Sequence, residues 1–316
     1  MRNKQVSKAK QTGVAVITAV LVLAIAATAA TSIAENYQLD FRRSENTITS
    51  SQAWAYAKGA EQWTMAILAR DGNDNSYDGL DEPWWNNDQP IFLPLPGGFI
   101  EGKIADAQSK LNLNKLVEGD KVNETTKQRV SRLFVLLDIN PNLVGAIIDW
   151  IDTNVNPTGA DGAERDIYIG LEFAYLPADQ SMADVSELRL IRGFDQEIYD
   201  KLIPHVTALH SEAALNLNTA TAEVLASLHP KITLELANDL VEDREDNPYK
   251  QVVDFLQHPF LQAQSITIDT FNLSVSSNYF DLDTKAVIGK SKVRLTSTIH
   301  RPGGDRLRVV KRSQKL

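Results

Sequence analysis

The chain has 316 residues, 43% of them hydrophobic and 23% charged, which is enough to build one large or two ordinary domains with real cores and excludes intrinsic disorder. A net charge of −9 excludes nucleic-acid binding through overall charge. The absence of cysteine removes disulfides, zinc ribbons, iron–sulfur ligation and thiol nucleophiles together, and the five histidines form no HExxH pair.

Charge is unevenly placed along the chain. Arg2, Lys4, Lys8 and Lys10 precede Gly13 with no acid among them, so the remainder carries −13. From Val14 to Ala34 run 21 uncharged residues, which as a helix rising about 1.5 Å per residue span the roughly 30 Å hydrocarbon core of a bilayer. The basic cluster ahead of this segment puts the N-terminus in the cytoplasm and Glu35 onward on the far side. Three fates remain open for the segment. It is a signal peptide cut after Ser32-Ile33-Ala34, an uncut anchor, or the start of a mature chain whose prepilin-type leader is cut between Gly13 and Val14. The residues beyond Ala34 favour the third. From Glu35 to Asp71 there is no proline and no glycine except Gly59, so the helix continues. Ala53, Ala57, Ala60, Thr64, Ile67 and Leu68 recur at three- and four-residue steps, a stripe of small apolar residues suited to lying on a sheet.

The stretch Gly13-Val14-Ala15-Val16-Ile17-Thr18-Ala19-Val20-Leu21, with Gln38 to Asn46 and Gln52 to Glu61, resembles the K-type minor pseudopilins of type II secretion. The resemblance implies cleavage by a prepilin peptidase. It also implies a place in the inner membrane and then at the tip of a periplasmic pseudopilus, with the minor pseudopilins I and J and the major pseudopilin as partners. Most pilins and pseudopilins carry glutamate at the fifth mature position; this chain has Thr18 there, and the absence of the glutamate is typical of the K type. A carboxylate buried in an apolar bundle costs several kcal/mol unless it meets a positive partner. A topmost subunit has no neighbour above to supply one, and Thr18 is compatible with that position.

Beyond the helix, the acidic stretch from Asp71 through Pro94–Gly98 reads as loop, and Phe99 to Ala107 as the first strand. Helical patterns fill Leu111 to Phe260. Ser265 to Val275 is β-rich, Val287 to Ile299 alternates, and a turn at Arg301–Asp305 leads into Leu307–Val309 to make a C-terminal hairpin. Strands bracket a helical block. The expected class is therefore α+β: a pilin-like long N-terminal helix packed on a small antiparallel sheet, with a large α-helical domain inserted between strands. The expected divisions are leader 1–13, apolar helix half 14–34, helix and first strand 35–110, inserted domain 111–260 and C-terminal strands 261–316.

Within the block, residues repeat faintly at an offset of 91: Leu133 with Val224, Leu137 with Leu228, Ala146 with Ala237, Asp152 with Asp243 and Pro157 with Pro248. Asn112-Leu113-Asn114 and Asn216-Leu217-Asn218 precede the two copies, and two related helical pairs are expected. The second copy resembles helix-hairpin-helix modules, which makes a membrane-anchored periplasmic DNA-binding protein the main alternative. Its hairpin, His229-Pro230-Lys231-Ile232-Thr233, has no glycine to bring backbone N–H groups to a phosphate. The next helix carries Glu235, Asp239, Glu242, Asp243, Glu245 and Asp246, which repel one, so a packing module without nucleic acid is expected.

No GxSxG, Walker loop or Gly-rich βα turn is present, so no catalysis is expected, and a membrane-tethered hydrolase is the weakest option. Two acidic loops have the oxygen-rich composition that suits calcium. In the first, Asp71, Asn73, Asn75 and Glu82 fall at EF-hand positions, but Ser76 stands where the turn needs glycine and Pro83 opposes the exiting helix. The second, around Asp149 to Asp166, contains Asp149, Asp152, Asp161, Glu164 and Asp166. The family resemblance implies structural calcium there, carried onto Asp152, Asp161, Glu164 and Asp166. A solvated acidic loop with capping aspartates is the other reading. Trp84 and Trp85 in a polar loop are either interface anchors or core plugs. The C-terminal tail from His300, rich in arginine and lysine, carries a local positive charge.

Overall fold

The computed structural model describes residues 12–74, 76–86, 89–303 and 306–315. Most of the expected leader, with Arg2, Lys4, Lys8 and Lys10, lies outside the described residues. Helix α1 runs without interruption from Thr12 to Asp74, a rod of about 95 Å. It does not break at Glu35, because nothing between the apolar run and Gly72 opposes helix. Residues 13–48 are exposed throughout. Beyond them one face turns inward, with Ala53, Ala57, Ala60, Thr64 and Leu68 buried.

After α1 comes a loop, and then β1 (Ile91–Leu95) and β2 (Gly98–Asp106), an antiparallel hairpin turning at Pro96 and Gly97. The expectation of loop through residue 98 is corrected here. Pro94 within this strand and Pro96 just after it argue against a central strand, and β1 is an edge strand, where the missing N–H groups cost little.

Residues 107–278 then leave the sheet and form a separate, mostly helical unit. In chain order it holds β3 (Leu111–Asn112), β4 (Val117–Glu118), β5 (Lys121–Val122), α2 (Glu124–Leu136), α3 (Val144–Ile151), α4 (Arg165–Ile169) and α5 (Gln196–Leu202). There follow β6 (Val206–Thr207), β7 (Leu215–Asn216), α6 (Ala222–Ser227), α7 (Leu234–Asp246), α8 (Val252–Leu256), α9 (Pro259–Ala263) and β8 (Leu273–Ser274). One apolar core joins them, from Leu111 to Val275. The inserted domain therefore extends past the expected limit at 260. Ile266 and Ile268 alternate like strand residues but plug into the helical core, between Ser265 and Asn272, whose left-handed φ of 51° and 55° interrupts extended pairing.

The repeat is visible in the architecture. Asn114 exchanges two hydrogen bonds with the backbone of Met182, at 2.8 and 3.0 Å, and Asn218 exchanges two with Tyr249, both at 2.8 Å. Leu113 and Leu217 between the paired asparagines are wholly buried, and β3 pairs in parallel with β6 as β7 does with β8. A buried amide that satisfies both partners of a distant peptide pins one loop to another, and the domain uses this device twice.

The chain returns at β9 (Tyr279–Ile288), β10 (Ser291–His300) and β11 (Arg308–Lys315), completing an antiparallel sheet in the order β1-β2-β9-β10-β11. Left-handed Gly289 divides the alternating run beginning at Val287, so part of it belongs to β9. α1 lies on this sheet through Ala53, Ala57 and Ala60 against Ile100, Ala286, Ile288, Val293 and Leu295. Alanines let the helix axis approach closely.

Candidate functional site

Three features of the chain offer function: the exposed half of α1, the acidic loop after α3, and a buried acidic cluster where α1 ends. Gly13 and Val14, the expected cleavage pair, stand in the first turn of α1, and Thr18 one turn on. The Thr18 hydroxyl donates to Val14 O at 3.1 Å and Ala15 O at 3.0 Å, so its polarity is satisfied within its own helix. A glutamate there would need an outside partner; this threonine needs none.

Past α3 the chain loops back over the helix. Asp149 organises the turn, accepting from Thr158 N at 2.9 Å and Ala163 N at 2.7 Å. Gly145 permits the approach, since a Cβ there would lie 2.0 Å from Thr158 O. Asp152 and Glu164, both among the four expected ligands, are buried, and Oδ1 of Asp152 and Oε1 of Glu164 have no hydrogen-bond partner. Burial, then the charge of Asp149, pushes Asp152 up to about 6. The same two causes, with Asp152 itself and Asp179, push Glu164 up to about 7. Two orphaned, mutually repelling carboxylates fit a hard cation such as calcium. Asp161 and Asp166 fit less well. Asp161 accepts from Asn140 at 2.7 Å, and Asp166 is exposed in the first turn of α4. Asp149 and Asp179 are the acids whose charges act on both Asp152 and Glu164.

At the end of α1, Asp71, Asp78 and Glu82 are all buried and bring an oxygen from each within 4.8 Å of the others. Arg301, from the exit of β10, donates to Asp71 Oδ2 at 2.9 Å and to Asp78 Oδ1. Glu82 Oε2 accepts from Gly79 N at 3.0 Å and Trp84 Nε1 at 2.8 Å. Ser277 N donates to Asp78 Oδ2 at 2.7 Å. Burial, then the charge of Glu82, pushes Asp71 up to about 7. An EF-hand is excluded, because its first four positions lie inside α1. Sequence reasoning missed Asp78 and Arg301 as members. The spacing of Asp71 and Asp78 crosses a helix end, where no periodicity applies, and Arg301 is more than two hundred residues away.

Trp84 is 1% exposed, with its ring edge-to-face on Phe280 at 5.4 Å, and Trp85 packs beside it. For Trp84 the core-plug reading holds, with its N–H spent on Glu82, whereas Trp85 is only half-buried. In the hairpin between α6 and α7, His229 accepts from Lys231 N. Glu235, Asp239, Glu242, Glu245 and Asp246 of α7 are exposed, a surface that repels phosphate.

Sequence profiles of the family described as type II secretion system (T2SS), protein K match residues 109–211 and 215–276. The chain is 34% identical over 312 residues to the type II secretion system protein K of Pseudomonas aeruginosa, covering 96% of this chain and 92% of that one. Its identity to the protein of the same name from Pectobacterium carotovorum subsp. carotovorum is 32%, covering 96% and 97%. Among solved structures, it is similar to a chain in the crystal structure of the GspK-GspI-GspJ complex from the enterotoxigenic Escherichia coli type 2 secretion system. The TM-score is 0.75 and the identity 26%, covering 87% of this chain and 99% of that chain.

Proposed function

The chain belongs to the type II secretion system protein K family, and from that membership we propose that it is the minor pseudopilin that caps or initiates a periplasmic pseudopilus and so aids export of folded proteins across the outer membrane. The observation that carries this reading is α1, a single rod whose first half is exposed and apolar and whose second half is fixed on the sheet. The exposed half suits first a bilayer and then the helical core of a fibre. The N-terminus is cytoplasmic, the body periplasmic, and a prepilin peptidase cuts between Gly13 and Val14. Neighbours are the I and J minor pseudopilins, as in the complex from Escherichia coli, with the major pseudopilin below.

Volume supports the tip position. The domain of residues 107–278 projects from between two adjacent strands of the sheet, and a subunit stacked on both sides would have to accommodate it. The role is assembly, without turnover. Structural calcium would be held by Asp152 and Glu164, with the charge of Asp149 acting on both, and would supply the positive charge that their unpartnered oxygens lack.

Co-purification of the tagged full chain with the I and J pseudopilins, combined with N-terminal sequencing, tests the reading. Val14 as the first residue and a ternary complex are expected. A mature chain that begins at Glu35, or one that captures neither pseudopilin, would overturn it.

A further inference from the structure

We propose that Asp71, Asp78 and Glu82 hold a hard divalent cation of the calcium class at the seam between α1, the inserted domain and the C-terminal strands. The three carboxylates are 6%, 1% and 4% exposed, and an oxygen from each lies within 4.8 Å of the others. Calcium takes oxygen ligands at 2.3 to 2.6 Å, so oxygens on one ion stand up to roughly 5 Å apart, and the cluster has that spacing already.

A second observation points to a ligand. Oδ1 of Asp71 is buried and has no hydrogen-bond partner, although Oδ2 of the same group is taken by Arg301. A buried oxygen left without a partner is costly, more so on a charged group, and a cation on Oδ1 removes that cost. Arg301 and Ser277 leave room for it. Each carboxylate oxygen has two lone pairs, so the oxygens of Asp71 and Asp78 that accept a single N–H retain capacity for an ion.

The position gives the ion a purpose. Asp71 stands in the last turn of α1, Asp78 N donates to Val275 O in the inserted domain at 2.9 Å, and Asp78 O accepts from Asn216 at 3.0 Å. Arg301 follows β10 and also donates to Ser277 O. An ion here fastens rod, domain and sheet at one point. It is separate from calcium at Asp152 and Glu164 and does not depend on that site being filled.

The test uses the full chain in detergent, stripped with chelator and titrated with terbium as a calcium stand-in, with luminescence excited through tryptophan. The Trp84 indole, hydrogen-bonded to Glu82, sits beside the ion and sensitises it. Asp71→Asn is expected to lose one bound equivalent of calcium and the matching luminescence phase, while Asp152→Asn with Glu164→Gln keeps both. Trp84→Phe combined with Trp85→Phe is expected to lose the phase but keep the equivalent. If Asp71→Asn binds and luminesces like the parent chain, the carboxylate is simply protonated and the proposal fails, whatever the double variant does. Should Asp71→Asn not fold, an undiminished signal from Trp84→Phe combined with Trp85→Phe overturns the proposal by itself.

Discussion

Arg312 grips Glu61 with both arms of its guanidinium, Nε to Oε1 at 2.9 Å and Nη2 to Oε2 at 2.8 Å, tying the last strand of the sheet to the middle of α1. Glu61 is wholly buried on the alanine stripe, where Ser297 Oγ also donates to it at 2.7 Å and Lys58 stands 3.1 Å away. Burial acts to raise its carboxyl, but the hydrogen bonds from Arg312, Ser297 and Lys58 outweigh it and hold the group below its ordinary value of 4.5. Glu61→Gln is therefore expected to destabilise the body by about 1.5–3 kcal/mol, the range for hydrogen bonds to a charged group. The contribution is complete above about 4.5 and disappears as pH falls through the lowered folded value. Urea unfolding of both chains at neutral and strongly acid pH checks this, and the gap between them closes at the acid end.

Metal-free protein is expected to show the opposite trend at higher pH. Asp71 and Glu164 are pushed up to about 7, Asp152 and Asp106 to about 6, with burial the largest cause for each. Between about pH 4 and 7 these groups bind more protons folded than unfolded, so stability falls as pH rises through that window. Thermal melts in chelator should move down from pH 5 to pH 8, and excess calcium at pH 8 should restore the loss. Asp152→Asn combined with Glu164→Gln should flatten part of the slope.

Two glycines of β2 make a matched pair. A Cβ on Gly98 would lie 1.7 Å from the carbonyl oxygen of Val287, whereas the nearest atom to one on Gly102 is a Leu282 methyl at 4.0 Å. Backbone must move in the first case and nothing need move in the second. Gly98→Ala is expected to cost about 1–3 kcal/mol, as overpacking does, and Gly102→Ala to stay within roughly 0.5 kcal/mol of the parent. Equal denaturation midpoints for the two variants would contradict the register of β2 against β9.

What the sequence disclosed and what it hid divide along physical lines. The rod was legible because helix has a period and the alanine stripe obeys it, from Ala53 to Leu68. The sheet was half legible. β10 alternates clearly, whereas β9 places Thr284 and Ala286 on its inner face among larger residues and so blurs its own signal. The burial of Glu61 was not legible, since its partner Arg312 lies 251 positions later and the pairing exists only once the sheet has closed. The acidic loop after α3 was legible as composition, but which oxygens converge depends on Asp149 folding it back over Gly145. Trp84 was left open between interface anchor and core plug because its loop is polar, and it is that loop's deep anchor against Phe280.

Thr18 permits a last pair of variants. Its hydroxyl bonds only to Val14 and Ala15 within its own turn, so Thr18→Val removes no contact that the helix needs. Secretion in a strain lacking its own K subunit should be unchanged. Thr18→Glu instead sets a carboxylate on an exposed apolar helix, at a cost of up to about 3 kcal/mol in lipid unless a cation meets it. A subunit in the body of a fibre could find that cation on its neighbour, but a subunit with nothing above it could not. The glutamate variant is therefore expected to accumulate less in membranes and to support less secretion, with the I and J pseudopilins captured in proportion. Full secretion by the glutamate variant would show that a positive partner reaches this position, which is incompatible with a subunit at the tip.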